Sequence, residues 1–187
     1  MMAMSAAKQH VEQLPFAEVI TCHQRMIYGY LLRFTRNVYD AQDLFQETFL
    51  RAYRAYAALP TDADLRAWLM RIAVNLSKNY VRDRQRRNRV LVDEEQGQDH
   101  IPTHFAENSN TTEQMMISQE TAQTLLATID ALPFRQRTAL IQRQFEGLEY
   151  DAIAANLECS PESARAHVYQ ALRKLRFALS ADQQQSE

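Results

Sequence analysis

Three glycines in 187 residues is the feature that most narrows what this chain can fold into. Two-residue hairpins lean on glycine for positive backbone angles, and so do the phosphate-cradling loops of nucleotide-binding α/β folds. A sandwich or barrel needs a tight turn about every ten residues, which three glycines and five prolines do not supply. What remains are long runs of Ala, Leu, Gln, Arg and Glu, all good helix formers. Hydrophobic residues at 46% are enough for a packed core, so a wholly disordered chain is excluded. The expected class is all-α, with a length that suits one ordinary domain or two small ones.

No apolar run approaches the ~18 residues of a membrane span, and Met1–His10 holds no signal-type apolar segment. Neither membrane insertion nor secretion is expected. Cys22 and Cys159 stand far apart with no CxxC, so they read as small buried hydrophobes in a reducing, cytoplasmic setting.

The formal charge of −2 hides a sharp partition. Residues 1–92 carry 14 Lys/Arg against 8 Asp/Glu, and residues 93–120 carry seven acids and no base. Residues 121–187 are nearly balanced, with 7 bases and 8 acids. Val81–Arg89 alone holds five arginines against one aspartate. Such a block beside an acidic stretch is either a solvated helix end running into a linker or a nucleic-acid surface beside a tether.

Helical periodicity predicts a first helix over Phe16–Arg36, on Val19, Ile20, His23, Ile27, Tyr30, Leu31 and Phe34. A second, with Asp40 as N-cap, runs to about Tyr56 on an apolar stripe of Ala41, Phe45, Phe49, Ala52 and Tyr56. Ala57–Asp64 reads as a loop around Pro60, and a third helix spans about Leu65–Arg86. Residues 12–90 form the first domain and 91–118 an acidic, flexible linker, extended or poorly ordered. Helix resumes near Ser118 and pauses at Leu132-Pro133. It continues as Phe134–Phe145, Tyr150–Leu157 and Pro161–Leu179, so that 119–180 form the second domain. The polar tail from Ala181 is expected to fray.

On the third helix Leu65, Leu69, Ile72 and Leu76 make a buried stripe with Trp68 beside it. Arg71, Asn75, Lys78 and Arg82 step by 4, 3 and 4 on another face, next to Asn79. Asparagine is a weak helix former. Among basic residues it offers hydrogen bonds to base edges while the cations hold phosphates, although a plain solvated face has the same spacing. Leu157, a three-residue break and Ser160-Pro161 opening a new helix fit a helix-turn-helix or a generic helical hairpin. Ile153, Leu157, Ala164, Val168, Leu172 and Leu175 would pack inside. Arg165, His167, Tyr169, Gln170, Arg173 and Lys174 are left for a DNA groove and backbone.

These residues carry a family resemblance. Asp40–Tyr53 (DAQDLFQETFLRAY) resembles conserved region 2.2 of bacterial σ70-type sigma factors. Leu65–Tyr80 (LRAWLMRIAVNLSKNY) resembles regions 2.3 and 2.4 of their extracytoplasmic-function, or group 4, members. Leu132–Arg137 (LPFRQR) followed by Glu146–Ala154 (EGLEYDAIA) resembles region 4. The resemblance covers about two-thirds of the chain, in the family's order, with no region 1.1 and no full region 3 in view. It implies a region 2 bundle and a region 4 helix-turn-helix that bind core RNA polymerase, on its β′ clamp and β flap, and read promoter −10 and −35 elements. Asp43, Leu44, Gln46, Glu47 and Arg51 would form the polymerase-binding set, though Asp43 and Glu47 are also spaced as a solvated acidic edge. Arg71, Asn75, Lys78, Asn79 and Arg82 would contact −10 DNA, with a flipped base taken by Ala57–Asp64. Trp68 is read as core. Arg165, His167, Tyr169, Gln170 and Lys174 would contact −35 DNA. Ala166, His167 and Gln170 replace the family's commoner serine or arginine, which shifts the expected base preference, since arginine reads guanine and glutamine adenine. The linker either threads the polymerase's RNA exit channel or is a solubilising tether. An anti-sigma factor is the implied regulator.

Catalysis and cofactors are not expected: no G-x-S-x-G, P-loop or H-E-x-x-H occurs. Cys22 and His23, adjacent on one helix, project apart. His100 and His104 with Cys22 would bind a metal only if the linker were helical there. The rival reading is a two-domain helix-turn-helix regulator independent of polymerase, which would need a dimer to read a palindrome. No coiled-coil dimerisation stripe is present, and that reading leaves the region 2.2 pattern unexplained.

Overall fold

The computed structural model describes residues 14–90 and 112–185, with side chains described for 14–87 and 121–180. Seven helices follow in order: α1 Phe16–Thr35, α2 Val38–Tyr56, α3 Leu65–Val90, α4 Thr112–Asp130, α5 Phe134–Gln144, α6 Tyr150–Leu157 and α7 Pro161–Gln185. Among the described residues there is no strand, in keeping with the glycine count. No described helix is long and apolar enough to cross a membrane.

Helix α1 buries Val19, Ile27, Tyr30, Leu31 and Phe34, with Ile20 and His23 half-buried on the same side. Its end is sharp because Arg36 adopts the left-handed region, φ 55°, and its N–H closes on the Leu32 carbonyl. The N-cap of α2 is Asn37, not Asp40: the Asn37 Oδ1 accepts from the amides of Tyr39 and Asp40. Asp40 falls inside the helix, and its carboxylate accepts instead from the Tyr80 hydroxyl of α3 at 2.7 Å. Asp64 opens α3 by accepting from the Ala67 amide. Helix α3 runs to Val90, beyond Arg86, since no glycine or proline interrupts it. Likewise α4 begins at Thr112, within the stretch read as linker, because 112–130 lacks any helix breaker. The rest of the expected linker, 91–111 with His100 and His104, lies outside the described residues.

Trp68 is half-buried and packs near Tyr56, with ring centroids 6.4 Å apart, in keeping with a core role. Cys22, expected to be buried, is exposed: it shares the outer side of α1 with Thr21 and Arg25, and only Cys159 is part-buried.

The two halves are packed on one another. Helix α3 touches α1 and α2 on one side and α5 and α6 on the other, so Met70, Ala73, Val74 and Ser77 are buried in addition to Leu69 and Leu76. Phe34 of α1 meets Phe134 of α5 edge-on at 5.7 Å. Tyr30 is fully buried, its hydroxyl near those of Ser77 and Thr138 but outside hydrogen-bonding geometry. Burial pushes its pKa up to about 12. Gly29 leaves space for the Arg33 guanidinium to reach Glu146: a Cβ at Gly29 would come 2.8 Å from Arg33 Nη1. Gly147 supplies the positive φ, 63°, that turns the chain from α5 toward α6.

Candidate functional site

The outward face of α2 carries Tyr39, Asp43, Gln46, Leu50 and Tyr53, which step by 4, 3, 4 and 3 and are all exposed. Tyr39 at 76%, Leu50 at 50% and Tyr53 at 65% exposure make it a mixed polar and apolar surface, the composition of a protein-docking face. The sequence-derived polymerase set divides here. Asp43 and Gln46 lie on this face, and Glu47 sits at its edge, paired with Arg51 at 2.6 Å. Leu44 and Arg51 turn instead toward α3 and line a groove of about 460 Å³ with Leu76, Asn79, Tyr80 and Arg82. The exposed aromatics and Leu50 were missed by the sequence reading, which followed only the buried stripe. Their own heptad-like spacing was the available signal.

On α3, Arg71, Asn75, Lys78 and Arg82 are exposed and Asn79 is half-buried, so the stepped polar stripe survives folding. Arg84, Arg86 and Arg87 continue the positive charge along the helix, all exposed. Arg71 lies 3.6 Å from the Glu158 carboxylate in the turn between α6 and α7. Lys78 and Arg82 line a second groove of about 390 Å³ together with Arg135 and Gln136 of α5 and His167 of α7.

The α6–α7 unit is a helix-turn-helix in outline. Glu158 takes the left-handed conformation, φ 52°, and Ser160 Oγ accepts from the Ser163 amide, so the expected cap and the Pro161 start both hold. Ile153, Leu157, Ala164 and Val168 are buried, with Leu172 and Leu175 half-buried. A buried amide pair braces α6 on α5: Asn156 Nδ2 donates to Gln142 Oε1 at 3.1 Å. Arg165, Tyr169, Gln170 and Lys174 are exposed on α7. Arg165 rests over the Tyr150 ring, 5.1 Å from its centroid, and Gln170 accepts from Gln136 at 2.8 Å. His167 is separated from that outward set. It is half-buried, its Nδ1 lacks a partner, and it faces the groove toward α3. Burial lowers its pKa, and Arg135 lowers it further.

These surfaces are built of long polar side chains on helices and enclose no deep pocket. Among the described residues no group of three His, Cys, Asp or Glu side chains converges as metal ligands would. Long polar and cationic side chains on exposed helix faces can contact phosphates, base edges or a protein surface.

Comparison with known proteins identifies the family. Residues 19–87 match the family Sigma-70 region 2, and residues 122–175 match Sigma-70, region 4. The RNA polymerase sigma-H factor of Pseudomonas aeruginosa is 33% identical over 172 residues, covering 91% of this chain and 89% of the relative. The ECF RNA polymerase sigma-E factor of Haemophilus influenzae is 32% identical, covering 87% of this chain and 86% of its own. Among solved structures, the fold resembles the sigma factor RpoE of Bartonella quintana, bound to the anti-sigma factor NepR, with a TM-score of 0.67 and 21% identity. That match covers 89% of this chain and 98% of the other. It also resembles CnrH in complex with the cytosolic domain of CnrY, at a TM-score of 0.62 and 20% identity, over 89% and 88% of the two chains. The chain belongs to the sigma-70 family of RNA polymerase sigma factors, in its extracytoplasmic-function group, and its role is in transcription initiation.

Proposed function

We propose a division of that role among named residues. The outward face of α2, with Asp43, Gln46 and Glu47 flanked by Tyr39, Leu50 and Tyr53, docks on the β′ clamp of core polymerase. Leu44 and Arg51 support it from the α3 side. Arg71, Asn75, Lys78, Asn79 and Arg82 contact the −10 element, the asparagines at base edges and the cations at phosphates. Arg165, Tyr169 and Gln170 read the −35 element, with Lys174 on its backbone, and His167 borders that surface. Residues 12–90 thus serve polymerase and −10 DNA, 119–180 serve −35 DNA and the β flap, and 91–118 tether the two. Tethering lets two weak contacts act together through effective concentration.

The observation that carries this reading is the α3 stripe: four polar residues at 4, 3, 4 spacing stay exposed on a helix otherwise buried on two sides. The protein acts in the cytoplasm, where polymerase and promoters are, and performs no catalysis of its own. An anti-sigma protein regulates it, as NepR binds the Bartonella relative. The test is a pull-down with purified core polymerase followed by run-off transcription from a randomised promoter pool. Stable binding and two enriched elements are expected. A chain that ignores polymerase yet shifts duplex DNA as a dimer would overturn the reading.

A further inference from the structure

The groove of about 390 Å³ between α3, α5 and α7 lies within the ~300–1,000 Å³ of small-molecule sites. Its charged lining is entirely cationic or imidazole: Lys78 and Arg82 from α3, Arg135 from α5 and His167 from α7, with no carboxylate among the lining residues. Arg82 has a loose contact with Asp83 at 3.7 Å, whereas neither Lys78 nor Arg135 has an ion-pair partner among the described residues. The charges press on one another, since Arg135 adds to burial in lowering the His167 pKa.

The same groove receives the start of α5, a helix of 11 residues. No side chain caps that helix and no acid stands in its first turn, so its free amides and the positive end of its dipole reinforce the cations. Two polar atoms of lining residues are buried without a partner, His167 Nδ1 and Gln136 Oε1. With its proton on Nδ1, the imidazole can donate to a phosphate oxygen. Gln136 Oε1 can accept only from a hydroxyl or amino group, which a bare inorganic anion does not offer. Val81, Pro133 and Phe134 make part of the wall apolar, a face for a flat ring.

We propose that this groove binds a nucleoside polyphosphate, with its phosphates on Lys78, Arg82, Arg135 and the α5 N-terminus and its base against Val81, Pro133 and Phe134. His167 donates to the phosphate chain, and Gln136 Oε1 accepts from the nucleoside. Lys78 and Arg82 are shared with the −10 set proposed above. Arg135, Gln136 and the α5 N-terminus belong to no set, so the site stands on its own geometry whether or not those roles hold.

The test is isothermal titration calorimetry of the full chain in ~50 mM NaCl with EDTA, comparing GTP, ATP, GMP and inorganic pyrophosphate. GTP and ATP should bind at one site per chain with a Kd of ~100 μM or tighter. GMP and pyrophosphate should bind about tenfold more weakly or worse, since one lacks the charge and the other the base. Arg135→Glu reverses a charge in the groove while placing an acid in the first turn of α5, so this variant should melt no earlier than the parent. It should lose GTP affinity by ~tenfold or more, whereas Arg86→Glu, the same change on an exposed part of α3 outside the groove, should lose less than ~threefold. GTP should also shift the His167 imidazole signals in a nitrogen–proton NMR spectrum and leave those of His23 in place. No saturable binding up to ~1 mM, an equal loss in the two charge-reversed variants, or unmoved His167 signals would overturn the proposal. Pyrophosphate that binds as tightly as GTP would overturn its nucleoside part. None of these readings involves polymerase or promoter, so a failure of the site is told apart from a failure of the residue roles proposed above.

Discussion

Replacing Asn156 by alanine tests whether the buried amide pair holds the reading unit together. Asn156 is 3% exposed and Gln142 fully buried, and the bond between them is 3.1 Å. Gln142 Nε2 has no partner of its own, so the substitution leaves that carboxamide satisfied at neither end. An orphaned buried polar group costs about 1–3 kcal/mol, and the small cavity adds a fraction of that. Alanine's better helix propensity returns roughly 0.5 kcal/mol. The expected net loss is about 2 kcal/mol, or ~4–8 °C in melting temperature for a chain of this size. Urea unfolding followed by circular dichroism measures it. Gln142→Leu alone should cost a similar amount, since it orphans Asn156 instead. The pair Asn156→Ala with Gln142→Leu should be much less than additive, with a coupling of at least ~1 kcal/mol. Single variants within ~0.5 kcal/mol of the parent, or strict additivity, would refute the reasoning.

Other outcomes follow from the same packing. Tyr30→Phe removes a buried hydroxyl without a hydrogen bond and should stabilise the chain by roughly 1 kcal/mol in the same assay. His23 and His167 both have pKa values lowered chiefly by burial, so the unfolded chain binds protons more tightly than the fold does. Their contribution is complete above pH ~6.5 and is lost as pH falls through the lowered folded values; the pH slope should flatten in His23→Gln with His167→Gln. Asn75→Ala should reduce promoter opening while leaving affinity for core polymerase intact, as heparin-challenged complexes and a pull-down would report. Arg165→Ala should weaken −35-dependent initiation by ~1–3 kcal/mol, and an unchanged −35 preference in a randomised library would remove it from the reading set.

The helices were legible in the sequence because each carries its own periodic stripe. Asn37 was missed as a cap although Asn37 followed by Asp40 has the spacing of a capping box, with Asp40 at the third helical position. On α3 the wheel found one buried stripe, and the structure has two. Met70, Ala73, Val74 and Ser77 extend the buried side round the helix, where the second half packs as well. A single helix records in its sequence that a face is apolar, never which element covers it. The spread of Leu44 and Arg51 away from Asp43 and Gln46 had a local cause that was readable. They stand at roughly 120–140° from that face on the wheel. His167 is different: its half-burial comes from α5 packing against α7, which no local pattern encodes.

The charge partition takes on a different meaning once the halves are seen together. An excess of base in residues 1–92 reads, by itself, as a surface waiting for phosphate. Yet four of those arginines are already engaged by acceptors of the second half, at Asp130, Glu146 and Glu158. Glu146 shows what that engagement costs. Its carboxyl is pushed above the usual range by burial, which outweighs the pull of Arg33 and Arg66. A pair whose acid is desolvated in this way adds little to stability, and its value lies in fixing which surfaces meet. Glu146→Gln should therefore leave the unfolding free energy within ~1 kcal/mol of the parent while lowering energy transfer between dyes attached to the two halves. A variant that melts much earlier with its halves still joined would show that Glu146 is a structural brace and not what fixes which surfaces meet.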